Sequence, residues 1–300
     1  MTKILDNLSL NFEKDINLSK YTSWKVGGNA EYFIEVSSIE EFQEVLSYSE
    51  NTKTPLTIIG GGNNILVSDK GIKGIVLRIY DKFSNIEFND DIVTAQTGLR
   101  VSKFVRQTVE NGLTGLEGLC GIPGTVGGMV YMNAGSLGVE TKDFLVNVKS
   151  MDKKGNIITR TKDEINFSYR YSDFQKLDEI ILSASFKLPK GDVQKGKELI
   201  SEFNKIRKSK QNIKYPSCGS VFKNPEGTFA GKLIEDVGFK GLKIGDAQVS
   251  ESHANFIVNL GNAKAQDIYN LIHKVKEEVY NKFEISLKTE VRLLGEFDYL

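Results

Sequence analysis

The chain has 300 residues, with 39 lysines and arginines balanced by 39 aspartates and glutamates. That length suffices for two domains, because single cores stop growing near roughly 250–300 residues, and a formal charge of zero gives no overall field to recruit nucleic acid or an anionic membrane. The two cysteines, Cys120 and Cys218, show no CxxC spacing, and the only histidines, His253 and His273, lie far apart, so neither a disulfide scaffold nor a zinc or iron site is expected.

The opening residues "MTKILDNLSLNFEKD" carry no apolar run of signal-peptide length, and no later segment approaches the roughly 20 apolar residues of a membrane span. The expectation is a cytoplasmic protein without nucleic-acid or membrane partners and without an obligatory protein partner. In chain order, "EYFIEV" predicts a strand, and "SIEEFQEVLSYSEN" a helix opened by a capping box from Ser38 to Glu41. "LTIIGGGNNILVSD" predicts a strand, a glycine turn and a second strand, "KGIVLRI" and "DIVTAQTG" further strands, and "VSKFVRQTVENG" a helix closed by Gly112. β-rich segments continue from "VNVKSMDKKGNIITR" to "IILSASFKLP". Pro189, Lys190 and Gly191 interrupt the pattern, which places a boundary near 190. Beyond it follow a polar helix at about 193–210, a helix at "FAGKLIEDVG", a strand at "NFIVNL", an amphipathic helix at "AQDIYNLIHKVKEEVYNKF" and a last strand at "EVRLLGEF". The fold class is α+β, divided into an N-terminal segment 1–26, a larger domain 27–190 and a smaller C-terminal domain 191–300.

No Walker loop, GxGxxG fingerprint or GxSxG elbow occurs, so an enzyme built on this chain needs an organic cofactor. Two glycine-rich stretches can hold one. In "IIGGGNNILVSD" an apolar strand runs into Gly60, Gly61 and Gly62, whose missing Cβ atoms let backbone N–H groups approach a pyrophosphate, and Asn63, Asn64 and Ile65 complete the turn. A tight hairpin turn is the competing reading. In "GLCGIPGTVGGMVYMNAGSLG", Gly121, Ile122, Pro123, Thr125, Val126 and Gly128 form a small-residue stretch that can lie flat on a planar ligand, with the Thr125 and Val126 amides and the Thr125 hydroxyl as donors. Two such loops without a metal or covalent-catalysis constellation favour a dinucleotide.

These stretches, together with "YTSWKVGGNAEYFIEV", "FSYRYSDF", "YPSCGSVFKNP", "AGKLIEDVGFKGLKIGDAQVSESHANFIVN" and "EVRLLGE", resemble the UDP-N-acetylenolpyruvoylglucosamine reductase family, in order from about Tyr21 to Glu296. The resemblance implies a vanillyl-alcohol-oxidase/PCMH-type flavin domain of two subdomains and a C-terminal substrate domain. It implies noncovalent FAD, NADPH as hydride donor and a nucleotide-sugar substrate carrying an enolpyruvyl ether. Three positions carry over as catalytic: Arg170 to stabilise the developing enolate, Ser220 to protonate the α carbon, and Glu290 to hydrogen-bond the enolate or relay the proton. Tyr169, Lys210, Lys223 and Asn224 are the implied substrate contacts. Cys120 stands where the family usually has a smaller residue, Thr289 replaces a proline before Glu290, and the short interval between Arg170 and Ser220 resembles the subgroup without a substrate-capping tyrosine loop. A flavin oxidase acting on an alcohol or sugar, or a noncatalytic nucleotide-sugar binding protein, would account for the same glycines.

Overall fold

The computed structural model describes residues 10–211 and 214–298. They fall into two compact units that interleave in sequence. The first is mainly Phe33–Gly61 and Gly74–Ile206, and the second is Lys14–Tyr32, Gly62–Lys73 and the chain from Arg207 onward.

The first unit is built on a five-stranded antiparallel sheet. Its strands, in spatial order, are Ile157–Thr161, Leu145–Asp152, Glu179–Lys187, Ile92–Gln96 and Ile86–Asn89. Alternation decides the buried face: Val93 and Ala95 point inward and pack with Ala184 and Phe186 of the neighbouring strand. Against this face lie helices α2 (Val101–Glu110) and α3 (Val126–Tyr131), contributing Val101, Phe104, Val105, Val109, Val126, Met129 and Val130 to one core. Phe104 and Phe186 bring their ring centroids to 5.1 Å. Strand Leu56–Ile59 pairs in parallel with the 75–78 stretch of strand Ile72–Arg78.

Helix α1 (Ile39–Thr52) begins as expected, with Ser38 Oγ accepting from Glu41 N at 3.3 Å. The return arm of the capping box lands one residue early, since the Glu41 carboxylate accepts from the backbone and hydroxyl of Ser37. The interruption at Pro189–Gly191 is stitched into the first unit: Thr114 N donates to Pro189 O at 2.9 Å and Gly191 N to Gly112 O at 2.8 Å. Leu188 and, on helix α4 (Val193–Gln211), Ile200 are buried in the same core, and the compact unit runs on to Ile206.

The second unit has its own core. Helix α6 (Ala265–Phe283) buries Ile268, Leu271, Ile272, Val275 and Val279, the residues its helical spacing predicts. They pack with α5 (Ala230–Asp236) and the small antiparallel sheet Lys243–Ile244, Ala247–Val249 and Ile257–Asn259. Trp24 is fully buried there, its indole donating to Ile257 O at 2.6 Å while Asn259 Nδ2 donates to its carbonyl at 2.9 Å. The two leading amides of α6, Ala265 N and Gln266 N, are satisfied from a distant part of the chain by the Asp69 carboxylate at 2.9 Å each.

Candidate active site

The stretch Gly60–Asn64 is not a hairpin turn. The strand before it pairs with 75–78, and the strand after it, Ile65–Val67, pairs in parallel with Arg292–Leu294. The loop is fastened through its carbonyls and side chains: Ser23 N donates to Gly62 O at 3.0 Å, Arg292 N donates to Asn64 O at 3.0 Å, and Asn64 Nδ2 donates to Glu290 O at 3.2 Å. Among the described residues none accepts from the backbone N–H of Gly60, Gly61, Gly62, Asn63 or Asn64. Partly buried amides demand partners, and glycine amides that find none in the fold can receive an anion. Gly62 is there by necessity, at φ 69° with Tyr21 O only 1.9 Å from where a Cβ would stand.

The second glycine stretch meets the first. A Cβ on Gly60 would lie 2.9 Å from Thr125 Oγ1. Thr125 is the N-cap of α3, its hydroxyl oxygen accepting from Gly128 N at 3.4 Å. The Val126 amide, expected to face the ligand, instead donates to Leu99 O at 2.8 Å, and Gly127 N donates to Thr97 O at 2.9 Å, because α3 is pinned to the sheet at its first turn. The amides of Gly121, Gly124 and Thr125 have no acceptor among the described residues, whereas Ile122 N closes a turn on Leu119 O. Pro123 is exposed between them. Within the first unit, the amides of Gly60, Gly61, Gly121, Gly124 and Thr125 and the Thr125 hydroxyl suit the diphosphate of FAD.

Arg170 and Tyr169 are the two turn residues of a short hairpin, Phe167–Ser168 with Tyr171–Ser172. Arg170 sits in the left-handed region at φ 55°, a conformation that costs a non-glycine residue about 1 kcal/mol or more. The hairpin is held against the end of α3: Gln175 Nε2 donates to Tyr131 O and Arg170 O at 3.0 and 3.1 Å, and Ser172 Oγ donates to Tyr131 O at 2.8 Å. Arg170 Nη2 donates to Gly135 O at 2.8 Å, and its guanidinium carbon lies 5.1 Å from the Tyr169 ring centroid. Tyr169 is 45% exposed, so it does not serve as core packing. Fully buried Asn133, which the sequence reading passed over, fixes this arrangement by donating to Ser168 O at 3.0 Å and to the Glu140 carboxylate at 3.2 Å.

In the second unit, Ser220 lies on a segment clamped from both sides. Val221 N donates to Asn255 O at 2.8 Å, while Glu290 N donates to Val221 O at 2.8 Å and Lys223 N to Lys288 O at 2.9 Å. The side chain of buried Asn255 closes a two-bond ring with Phe222, accepting from its N at 2.9 Å and donating to its O at 2.8 Å. Glu290 is thus next to the Ser220 segment, one strand over, and Thr289 in place of proline forms the adjoining bridge to Phe222. Ser220 and Asn224 line one pocket of about 340 Å³, with Lys232, Lys240, His253 and Asn255 among its other walls. The Ser220 hydroxyl makes no hydrogen bond among the described residues. Asn224 Oδ1 accepts from Ala230 N at 3.1 Å, which caps α5 and leaves its amide nitrogen for the pocket. Lys223 is half-buried, and the Lys210 side chain lies outside the described residues. Burial lowers the His253 pKa below its ordinary value, in keeping with the neutral ring whose Nδ1 accepts from Asn255 N at 3.3 Å. Cys218, two residues before Ser220, is pushed up to about 12 by burial and is an inert thiol. The pocket roles of His253 and Asn255 carry no sequence signal, for a lone histidine and an asparagine before a strand give no sign of what they will face.

Fold and loops together define a flavoprotein with an FAD-binding domain, and residues 30–161 match the family model described as FAD binding domain. Residues 211–294 match the model described as UDP-N-acetylenolpyruvoylglucosamine reductase, C-terminal domain. The chain belongs to the UDP-N-acetylenolpyruvoylglucosamine reductase family and is an FAD-dependent oxidoreductase. It is 44% identical over 282 residues to the reductase of Clostridium botulinum strain Hall, covering 94% of this chain and 92% of the relative. To that of Pediococcus pentosaceus it is 42% identical over 279 residues, covering 93% of each. The crystal structure of the Thermus caldophilus reductase superposes with a TM-score of 0.82 at 34% identity, covering 95% of this chain and all of that one. Physcomitrella patens BBE-like 1, at 14% identity and TM-score 0.50 over 63% of this chain and 44% of that one, shares the fold alone. No helix among the described residues is long and apolar enough to cross a membrane.

Proposed function

We propose that this chain reduces the enolpyruvyl ether of UDP-N-acetylglucosamine enolpyruvate to UDP-N-acetylmuramate with NADPH, in the peptidoglycan pathway, using residues 27–190 to hold FAD and 191–300 to hold the sugar nucleotide, with 1–26 as an N-terminal segment. It works in the cytoplasm and needs no protein partner. Bound FAD supplies hydride transfer from NADPH to the β carbon of the enol ether. Gly60–Asn64 and Thr125 bind its diphosphate through backbone N–H groups and one hydroxyl.

The observation that carries the reading is the Ser220 hydroxyl, which lines a pocket on a doubly clamped segment and makes no hydrogen bond among the described residues. A turn serine normally satisfies its hydroxyl locally. This one is kept for a ligand, and its role is to deliver a proton to the α carbon. Arg170, with its guanidinium fixed through Gly135 O, stabilises the enolate carboxylate, where one such donor contributes roughly 3–4 kcal/mol. Glu290 hydrogen-bonds the same developing charge or relays the proton. Tyr169, Lys223, Asn224 and Lys210 bind the sugar nucleotide.

The test is an anaerobic visible spectrum. NADPH bleaches the oxidised flavin bands of the purified protein, and UDP-N-acetylglucosamine enolpyruvate then restores them. Flavin that bleaches but stays bleached on the second addition removes this substrate, and a protein that takes up no FAD on reconstitution removes the reading altogether.

A further inference from the structure

The Gly60 and Thr125 loops converge, within the first unit, on an aromatic ring flanked by two guanidinium groups. Ile79 N donates to Ile59 O at 2.8 Å, and its carbonyl lies 3.9 Å from where a Gly60 Cβ would stand, which places Tyr80 beside Gly60. Arg100 pairs with Thr125 in an isolated antiparallel bridge, with Val101 N donating to Gly124 O at 3.0 Å. The guanidinium carbons of Arg78 and Arg100 lie 4.2 and 5.3 Å from the Tyr80 ring centroid. Arg78 Nη1 reaches Glu35 Oε1 at 2.6 Å. Arg100 grips both oxygens of Asp81, Nε to Oδ1 at 3.0 Å and Nη2 to Oδ2.

Further cations surround this cluster. Among the described residues, Lys82 Nζ lies 3.7 Å from the second oxygen of Glu35, and Lys103 adds its field at Asp81. The hydrogen bond from Arg100, then the fields of Arg100, Lys103 and Arg78, hold the Asp81 carboxyl below its ordinary range. Gathering positive charge around one ring works against folding. Next to amides that lack acceptors, the same charge stabilises a bound dianion.

We propose that Arg100 is a diphosphate-binding residue of the FAD site, held in place by Asp81 and by the Tyr80 ring, with Arg78 completing the positive field. The inference rests on the flavin reading above and concerns the one doubly charged part of FAD. Its test compares FAD with riboflavin, which has the same ring system and no phosphate, on protein stripped of flavin and titrated by flavin fluorescence. Arg100→Met keeps the stem and removes the charge. It is expected to weaken FAD about tenfold to a hundredfold, the range for losing a charged hydrogen bond, while riboflavin changes by less than about twofold. The FAD affinity of the variant also depends less steeply on salt, and Arg100→Lys recovers part of the loss. Unchanged FAD affinity in Arg100→Met overturns the proposal. Equal weakening of FAD and riboflavin overturns it too, because that pattern means a damaged fold. Failure of the unaltered protein to bind FAD is a different result, and it removes the flavin reading itself.

Discussion

Replacing Ser220 by alanine separates chemistry from structure. The substitution removes one oxygen from a half-buried side chain that makes no hydrogen bond among the described residues, and the backbone just after it stays fixed by Val221 N to Asn255 O, Glu290 N to Val221 O and the Asn255–Phe222 pair. The stability change is therefore expected within about 0.5 kcal/mol, as for substitutions that break nothing in the fold. The chemical change is much larger, because loss of a positioned general acid costs about 10²–10⁴ in rate. Stopped-flow absorbance gives the two half-reactions separately. Bleaching by NADPH is expected at the unaltered rate, and reoxidation by the enolpyruvyl substrate slowed by that factor with substrate affinity little changed. A variant that reoxidises at the normal rate refutes the assignment. A variant that unfolds several degrees early refutes the claim that the hydroxyl has no structural task.

Gly62→Ala forces a Cβ to within 1.9 Å of Tyr21 O at φ 69°, so a loss of at least about 2 kcal/mol in urea unfolding is expected, together with poorer flavin retention on gel filtration. Asn255→Ala leaves Phe222 N and O without their side-chain partners in a buried place and is expected to cost about 2–5 kcal/mol; a shift in thermal midpoint under a degree would contradict this. The Glu179 side chain is only 7% exposed, and the Arg160 hydrogen bonds at 2.6 and 3.2 Å, with the Ser150 hydroxyl, hold its carboxyl below the usual range. A depressed folded pKa contributes stability that is present above the unfolded value and lost as pH falls through the folded one. The stability gap between the unaltered protein and Glu179→Gln should thus be full near neutral pH and close as pH drops below about 4; a gap independent of pH would rule the mechanism out.

Much of this protein is legible in its sequence because the relevant forces are local. The period of Ile268, Leu271, Ile272, Val275 and Val279 fixes the buried stripe of α6 wherever that helix docks, and the glycines of Gly60–Gly62 announce close backbone approach before any partner is known. Pairing across long separations is not local, and only the tertiary structure decided it. Ile65–Val67 finds Arg292–Leu294 rather than the strand just before the turn, and that choice rules out the hairpin. The Val126 amide is claimed by Leu99 because α3 is anchored to the sheet, and the break at Pro189 leaves the chain inside the first unit because Leu188 and Ile200 belong to its core. The caps of α5 and α6 come from Asn224 and Asp69, and the clamp on Ser220 from Asn255. Each of these polar groups had several possible partners in sequence. Burial forced each to take the one the packed backbone brought within reach.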